Sequence, residues 1–246
     1  MNRPRPGFVA FVLVTGVAAV SAAAIFIRFA FASAGEATPG LALLLAAVRL
    51  GLAALFLAPT WPGLVRARPQ PGAFTLAGIL VATAGGVLIG LGDASGGSAG
   101  PAPLLGDALA LVGAWTVSGY FLLGREAQRR GLSIGQYVAV AYATAAAVLL
   151  PLPALFGTPY TGWSLAFYGY ALAMALTSQL IGHTSFNWAV RWIPPVMVTL
   201  AILFEPLGSG FLAYLFFGEV PAPLVFVGAA VLLVGVGVAV LGQGRR

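Results

Sequence analysis

Long apolar runs alternate with short polar loops along the whole chain. Each run has about 20 residues, the length that an α-helix needs to cross about 30 Å of hydrocarbon. The loops between the runs are marked by Pro, Gly and Arg, which interrupt helices or favour the aqueous side. The pattern predicts an all-α bundle of about eight transmembrane helices, at roughly 7–32, 39–59, 74–92, 104–124, 134–156, 164–190, 195–217 and 222–242.

The composition supports a membrane protein. Of the 246 residues, 60% are hydrophobic and only 7% are charged, which leaves too little polar surface for a globule in water. The net charge of +6 does not indicate a nucleic-acid partner, because the basic residues are spread over short loops and are not gathered on one face. Membrane lipid is therefore the expected partner. The chain has no Cys, so no disulfide framework or thiolate metal site is expected.

The arginines also predict the topology. If the N-terminus is cytoplasmic, all cytoplasmic loops contain Arg and the opposite loops contain none, as the positive-inside rule requires. The chain is then a multi-pass plasma-membrane protein with both termini in the cytoplasm. Its Arg-only, Ala- and Gly-rich composition suits a bacterial inner membrane. The arginines on the predicted cytoplasmic side are Arg3, Arg5, Arg66, Arg68, Arg125, Arg129, Arg130, Arg191, Arg245 and Arg246.

An internal repeat links the third and eighth predicted helices. Because these two helices run in opposite directions in the predicted topology, the copies would be inverted, an arrangement common in secondary transporters. Glycine-rich membrane helices also align by chance, since small residues favour close packing. The matching positions are Gly78, Val81, Gly85, Leu91 and Gly92 with Gly228, Val231, Gly235, Leu241 and Gly242.

Several motifs resemble the drug/metabolite transporter superfamily, in its EamA-domain branch. They run in the family's order over nearly the whole chain, and they are SAAAIFIR at 21–28, LAGILVATAGGVLIGLGD at 76–93, GDALALVGAWTVSGYFLLGR at 106–125, GHTSFNWAV at 182–190 and FEPLGSGFLAYLFFGE at 204–219. The resemblance implies a transporter of small organic metabolites or drugs, an exporter, that works by alternating access. It implies no enzyme activity.

The resemblance also implies a shortened first half. Family members have ten helices in two inverted halves, whereas only three helices precede the linker at 93–103 here. The first half would cover 1–93 and the second 104–246, with the family's third and fourth helices absent near 72–75. The chain is then a natural paralogue, an internal deletion, or a subunit that completes its cavity as a homodimer. The alternative function is a non-transporting paralogue or a membrane partner subunit.

Two charged residues are expected at bilayer depth. Arg49 and Glu205 each lie about ten residues into a predicted helix, which places both near the midplane at 1.5 Å per residue. Ionisable groups there need a partner, water or a function. The two residues are candidates for a gating or substrate-orienting pair across the bundle, or for a structural ion pair. Pro206 follows Glu205 and predicts a helix kink.

The sixth predicted helix carries a polar row. Gln179, His183, Asn187 and Arg191 are spaced at i+4, which would stack them on one helix face away from lipid. His183 and Asn187 are candidate substrate-binding residues, and a neutral His183 is suited to proton relay. Plain interhelical hydrogen bonding is the alternative. We expect Arg191 to anchor the helix at the interface.

The fourth predicted helix offers an aromatic wall. Trp115 and Tyr120 are candidates to line the cavity against an aromatic or amino-acid-like substrate, although Trp and Tyr are also common interfacial anchors. Arg28 is expected to reach the outer interface, where Glu36 is available.

The sequence contains no pattern for metal or hydrolase chemistry. It has no HExxH, no GxSxG and no clustered His and carboxylates. Its glycine pairs lack the strand and helix that flank phosphate loops. No catalytic residue, metal or cofactor is therefore predicted.

Overall fold

The computed structural model describes residues 4–62 and 103–220. The predicted helices at 74–92 and 222–242, the repeat between them, the linker at 93–102 and the junction near 72–75 lie outside these residues. Every regular element within the described residues is a helix, so the predicted all-α class is confirmed.

Ten α-helices, one short 3₁₀ turn and one π-helical segment make up this part of the chain. They are α1 (Pro6–Ser21), α2 (Ala23–Ala34), α3 (Pro39–Phe56), the 3₁₀ turn (Ala58–Thr60), α4 (Pro103–Arg129), α5 (Ile134–Leu149), α6 (Leu152–Leu155), α7 (Leu165–Met174), the π segment (Ala175–His183), α8 (Thr184–Ala189), α9 (Pro195–Ile202) and α10 (Glu205–Phe217).

Within the described ranges, five stretches of one or more consecutive helices are long and apolar enough to cross a membrane. We call these stretches rods. They follow the sequence-based boundaries closely, and they are Pro6–Ala34, Pro39–Phe56, Ile134–Leu155, Leu165–Ala189 and Met197–Phe217. Helix α4, with 27 residues, covers the predicted fourth segment. The chain is therefore a polytopic helical membrane bundle.

The rods pack closely because small residues lie at their crossings. A Cβ atom added to Gly182 would stand 2.5 Å from Val20 Cγ1 and 3.3 Å from the Gly16 carbonyl oxygen. A Cβ added to Gly16 would in turn stand 2.9 Å from the Phe186 ring. Helix α1 and the π segment thus meet almost backbone to backbone, as membrane helices do through small residues.

Contacts between elements show which loops share one end of the bundle. The Phe8 ring packs edge-on to Trp188, with ring centroids 5.6 Å apart, and Thr60 Oγ1 donates to the Gly135 carbonyl at 3.3 Å. The start of α1, the end of α3, the start of α5 and the end of α8 therefore lie together. We call this the arginine-rich end, since the loop at 129–133 and Arg191 belong to it. Glu36 and Glu219 lie at the far end.

Candidate functional site

Arg49 and Glu205 lie in the middle of their rods. Arg49 is ten residues after Pro39, or about 15 Å along the α3 axis, and Glu205 is twelve residues before Phe217, or about 18 Å. Both side chains are partly buried. A charge at this depth costs about 2.5 to 3.5 kcal/mol on insertion scales unless something compensates for it.

These two residues do not form a direct ion pair. The ion pairs closer than 4.0 Å between described residues are Arg28 with Glu219 and Arg130 with Glu126. Arg49 and Glu205 nevertheless attract each other through space, so they belong to one electrostatic site. The pair across the bundle that the sequence suggested is therefore not a direct ion pair, and the roles of the two residues stay predictions.

The guanidinium of Arg49 has unused hydrogen-bonding capacity. Its Nε atom is buried and has no hydrogen-bond partner. A buried donor without a partner costs about 1 to 3 kcal/mol, and more when it is charged. Arg49 therefore brings an unmet hydrogen-bond donor to mid-bilayer depth.

Glu205 begins a helix where the rod is irregular. Helix α9 ends at Ile202 and α10 starts at Glu205, with Pro206 in its first turn, where a missing N–H is tolerated. The predicted kink is thus a local irregularity at Leu203 and Phe204, whose backbone stays in the right-handed helical region. The backbone carbonyl of Glu205 lies 3.3 Å from the Ser21 hydroxyl, which also donates to Val17 O at 2.8 Å.

Ser21 links the start of α10 to the first rod. The Ser209 hydroxyl donates to the Ser21 carbonyl at 3.1 Å, and Gly208 lies so close to Ser21 that a Cβ atom would collide with its side chain. The first rod has a local irregularity at Ala22, between α1 and α2, where the backbone stays in the right-handed helical region. Two rods with local irregularities therefore cross at the depth of Glu205.

The rod Leu165–Ala189 corresponds to the sixth predicted helix, and we call it the sixth rod; the rods are numbered by the predicted helices to which they correspond. It contains a π-helical segment beside this crossing. The wide turn leaves the Gln179 carbonyl to accept from Tyr142 Oη at 3.1 Å and from Thr184 Oγ1 at 3.2 Å. The two hydroxyls are 3.1 Å apart. Within the described residues, π-helical geometry occurs only here, and such segments are frequent at functional sites. Neither this segment nor the role of Tyr142 was predicted, because π and α turns have similar apolar patterns.

The predicted polar row runs from the π segment into α8. Gln179 and His183 lie where hydrogen bonds run from i to i+5, and Asn187 follows on α8, where they run from i to i+4. The shared face predicted for these three residues and Arg191 stays a prediction. His183 is partly buried, lies within the electrostatic reach of Arg49, and packs edge-on to Phe186.

Asn187 and Tyr120 belong to a second polar group, nearer the arginine-rich end. Asn187 is fully buried, and its Nδ2 donates to Tyr120 Oη at 2.7 Å and to the His183 carbonyl at 2.8 Å. Gln128 donates from Nε2 to the Asn187 carbonyl at 2.8 Å. Tyr137 donates to the Tyr120 carbonyl at 3.2 Å. These bonds tie α4, α5 and α8 together, and the sequence reading missed Gln128 and Tyr137.

Trp115 is separate from both groups. Its side chain is 67% exposed, whereas Tyr120, five residues later on α4, is partly buried. Arg191 lies beside Trp192, with its guanidinium carbon 5.4 Å from the ring centroid. The structure thus brings Arg49, Glu205 and His183 to one region, Tyr120 and Asn187 to the neighbouring one, and leaves Trp115 on an open face.

The expected partner of Arg28 was wrong. Arg28 binds Glu219 through both terminal nitrogens, at 2.7 and 2.8 Å, and not Glu36. The guanidinium also lies 3.9 Å from the centroid of the Phe217 ring. Glu219 lies outside the rods, and the hydrogen bond from Arg28 lowers its pKa.

Local helix irregularities, buried polar cross-links and charges at mid-span together characterise a polytopic helical membrane protein. Within the described residues no three His, Cys, Asp or Glu side chains cluster as metal ligands would. The EamA-like transporter family model matches residues 104–241, and the chain belongs to this family. Members of this family are membrane transporters of small molecules. Comparisons with curated proteins and with solved structures gave no match.

Proposed function

We propose that the chain exports small organic metabolites or drugs across a bacterial inner membrane by alternating access. The observation that carries this proposal is the pair Arg49 and Glu205, two opposite charges at mid-span that attract each other without a direct ion pair. A stable structural pair would close the distance, because two separated charges inside a membrane are costly. A site that must open and admit a solute keeps them apart.

The residues around the pair have distinct roles in this proposal. Arg49 binds the solute and Glu205 acts as the gating charge at the α9–α10 junction. His183 lies beside them on the π segment, which can change its hydrogen bonding during a conformational step. Tyr120 and Asn187 line the path toward the arginine-rich end, whereas Trp115, on its open face, takes no part in this path.

The arrangement of the chain in the membrane completes the proposal. The arginine-rich end faces the cytoplasm, in accordance with the positive-inside rule, and both termini are cytoplasmic. The two EamA-like halves cover 1–93 and 104–246. If the first half lacks two helices, a homodimer would supply the missing cavity wall.

Reconstitution into proteoliposomes tests this function. Uptake and efflux of amino acids, nucleobases and cationic dyes would be measured for the chain, for Arg49→Gln, and for Arg130→Gln as a control on an exposed ion pair. We expect saturable transport that Arg49→Gln reduces at least tenfold, as on loss of one charge-assisted contact, and that Arg130→Gln leaves unchanged.

A variant with two helices inserted between Arg68 and Leu76 separates the alternatives. Transport by the unaltered chain means that its present helices suffice. Transport only after the insertion means that the chain is a non-transporting paralogue or a partner subunit, and the proposal fails.

A further inference from the structure

Arg49 is a charge at mid-span whose guanidinium is left partly unsatisfied by its neighbours. Its Nε atom is buried without a hydrogen-bond partner. The nearby Tyr142 hydroxyl already bonds the Gln179 carbonyl and Thr184, at 3.1 Å each. Since guanidinium groups remain protonated in proteins, Arg49 cannot relieve its burial by losing the proton.

The glutamates in the described ranges do not neutralise it directly. Glu126 pairs with Arg130 at 2.8 Å and Glu219 pairs with Arg28 at 2.7 Å. Glu36 is exposed at the far end. Only Glu205 acts on Arg49, and it does so through space. None of these four carboxylates therefore forms a direct ion pair with the Arg49 guanidinium.

Arg49 and Glu205 occupy different positions in their helices. Glu205 opens α10 directly after the end of α9, whereas Arg49 lies in the middle of α3, away from both ends of that helix. The α3 backbone carbonyls around Arg49 are used within the helix, so they leave its guanidinium without a partner on its own helix. The imbalance at this depth is thus one of hydrogen bonding, because the Nε donor of Arg49 is buried and unpaired.

From this imbalance we infer that the group that the site recognises on its substrate is an organic oxyanion, a carboxylate or a phosphonate, held by Arg49. The planar guanidinium fork matches two oxygens of such a group, and the contact is charge-assisted. This inference rests on the proposed function for its location, and it adds the chemical class of the substrate. Because the contact is bidentate, a neutral group of the same shape binds much more weakly.

Three probes with a common ring test the inference in the purified full chain at neutral pH. Benzoate, phenylphosphonate and benzamide have similar size, but benzamide has no charge. We expect benzoate or phenylphosphonate to raise the thermal unfolding temperature in a concentration-dependent manner at concentrations where benzamide does not. The more effective anion identifies the oxyanion. Equal shifts with benzamide, or no shift with any probe, would overturn the inference.

Substitutions of Arg49 test whether this residue contacts the bound anion. Arg49→Gln is expected to weaken anion binding by roughly 10- to 100-fold, as loss of a charged hydrogen-bonded contact predicts, and Arg49→Lys to retain part of it because the charge remains. Arg130→Gln is the matched control, since Arg130 is an exposed arginine with its own carboxylate. Undiminished binding by Arg49→Gln contradicts the assignment. If Arg49→Gln does not fold, Arg49→Lys and the comparison of benzoate with benzamide still decide.

Transport assays with the same probes distinguish the two proposals. Anion binding through Arg49 without any transport supports the oxyanion site but contradicts the transporter function. Saturable transport that is as fast with benzamide or cationic dyes as with the two anions supports the transporter function but contradicts the oxyanion site.

Discussion

Arg28 and Glu219 join the first rod to the end of the last described rod through two parallel hydrogen bonds of 2.7 and 2.8 Å. The residues are 191 positions apart in the chain, and the Phe217 ring lies against the guanidinium. Both side chains are about half exposed, at 47% and 52%, so solvent screens the pair. The contact therefore serves mainly to align two helices at the far end.

Stability should depend on pH through Glu219. Because the pKa of Glu219 is lowered in the folded protein, its contribution to the free energy of unfolding is complete above the ordinary value of 4.5. The contribution declines as the pH falls below 4.5 and is lost once the pH passes the lowered folded value. Glu219→Gln should remove this dependence with only a small loss of stability at neutral pH. Thermal unfolding between pH 3 and 7 compares the two proteins, with Glu36→Gln as control; equal curves for all three contradict the prediction.

Gly182→Ala should destabilise the bundle. The new methyl group would overlap Val20 and press on the backbone of α1, and overpacking of this kind costs about 1 to 3 kcal/mol. Gly169→Ala, in the same rod, is the control, because nothing lies within 4 Å of its added Cβ atom. Thermal unfolding in detergent measures both. A Gly182→Ala variant as stable as Gly169→Ala would show that α1 and the π segment are not in close contact.

Tyr142→Phe should weaken the attachment of α5 to the π segment. The change removes only the hydroxyl that bonds the Gln179 carbonyl and Thr184. We expect a loss of about 0.6 kcal/mol, the average for hydrogen bonds between membrane helices, together with slower transport. Tyr168→Phe is the matched control, since its hydroxyl bonds only the Tyr160 carbonyl far from the site. Equal transport rates for the two variants would exclude a role for Tyr142 beyond packing.

Glu205→Gln should flatten the pH dependence of transport if protons drive it. The side chain keeps its shape, and the link to Ser21 is preserved because it uses the Glu205 backbone carbonyl. Folding should thus be normal, as size-exclusion chromatography can verify. Initial rates across pH 5 to 8 would be compared with those of Glu126→Gln, a surface carboxylate. A pH profile that does not change in Glu205→Gln rules out this carboxylate as the proton-coupling group.

The sequence predicted the helical rods well but few of the side-chain contacts. Apolar run length located the fifth rod at 134–156, and the structure has Ile134–Leu155, because the hydrocarbon thickness alone determines such boundaries. Arg28 was assigned to Glu36, eight residues away, since proximity in sequence is visible and packing of distant rods is not. The same limit hid Gln128, whose partner is 59 residues away.

Other differences come from backbone geometry. Pro206 predicted an irregular helix near Glu205. The contact between Glu205 and Ser21 could not be predicted, because it depends on how two rods pack. The π segment had no recognisable sequence signal, because its stability comes from Tyr142 on another rod and from Thr184. The candidate site residues could thus be found in the sequence, because they are polar residues within apolar runs. Their hydrogen-bond partners could be identified only from the folded structure.

The π segment also makes the sixth rod sensitive to residue number. A π turn holds one residue more than the α turn that would replace it, so deleting one residue between 175 and 183 converts a π turn to an α turn while the residues that follow keep their direction. Asn187 would then keep its bond to Tyr120, but the Gln179 carbonyl would lose Tyr142 and Thr184. The length of this stretch, as much as its chemistry, is therefore a property on which selection can act.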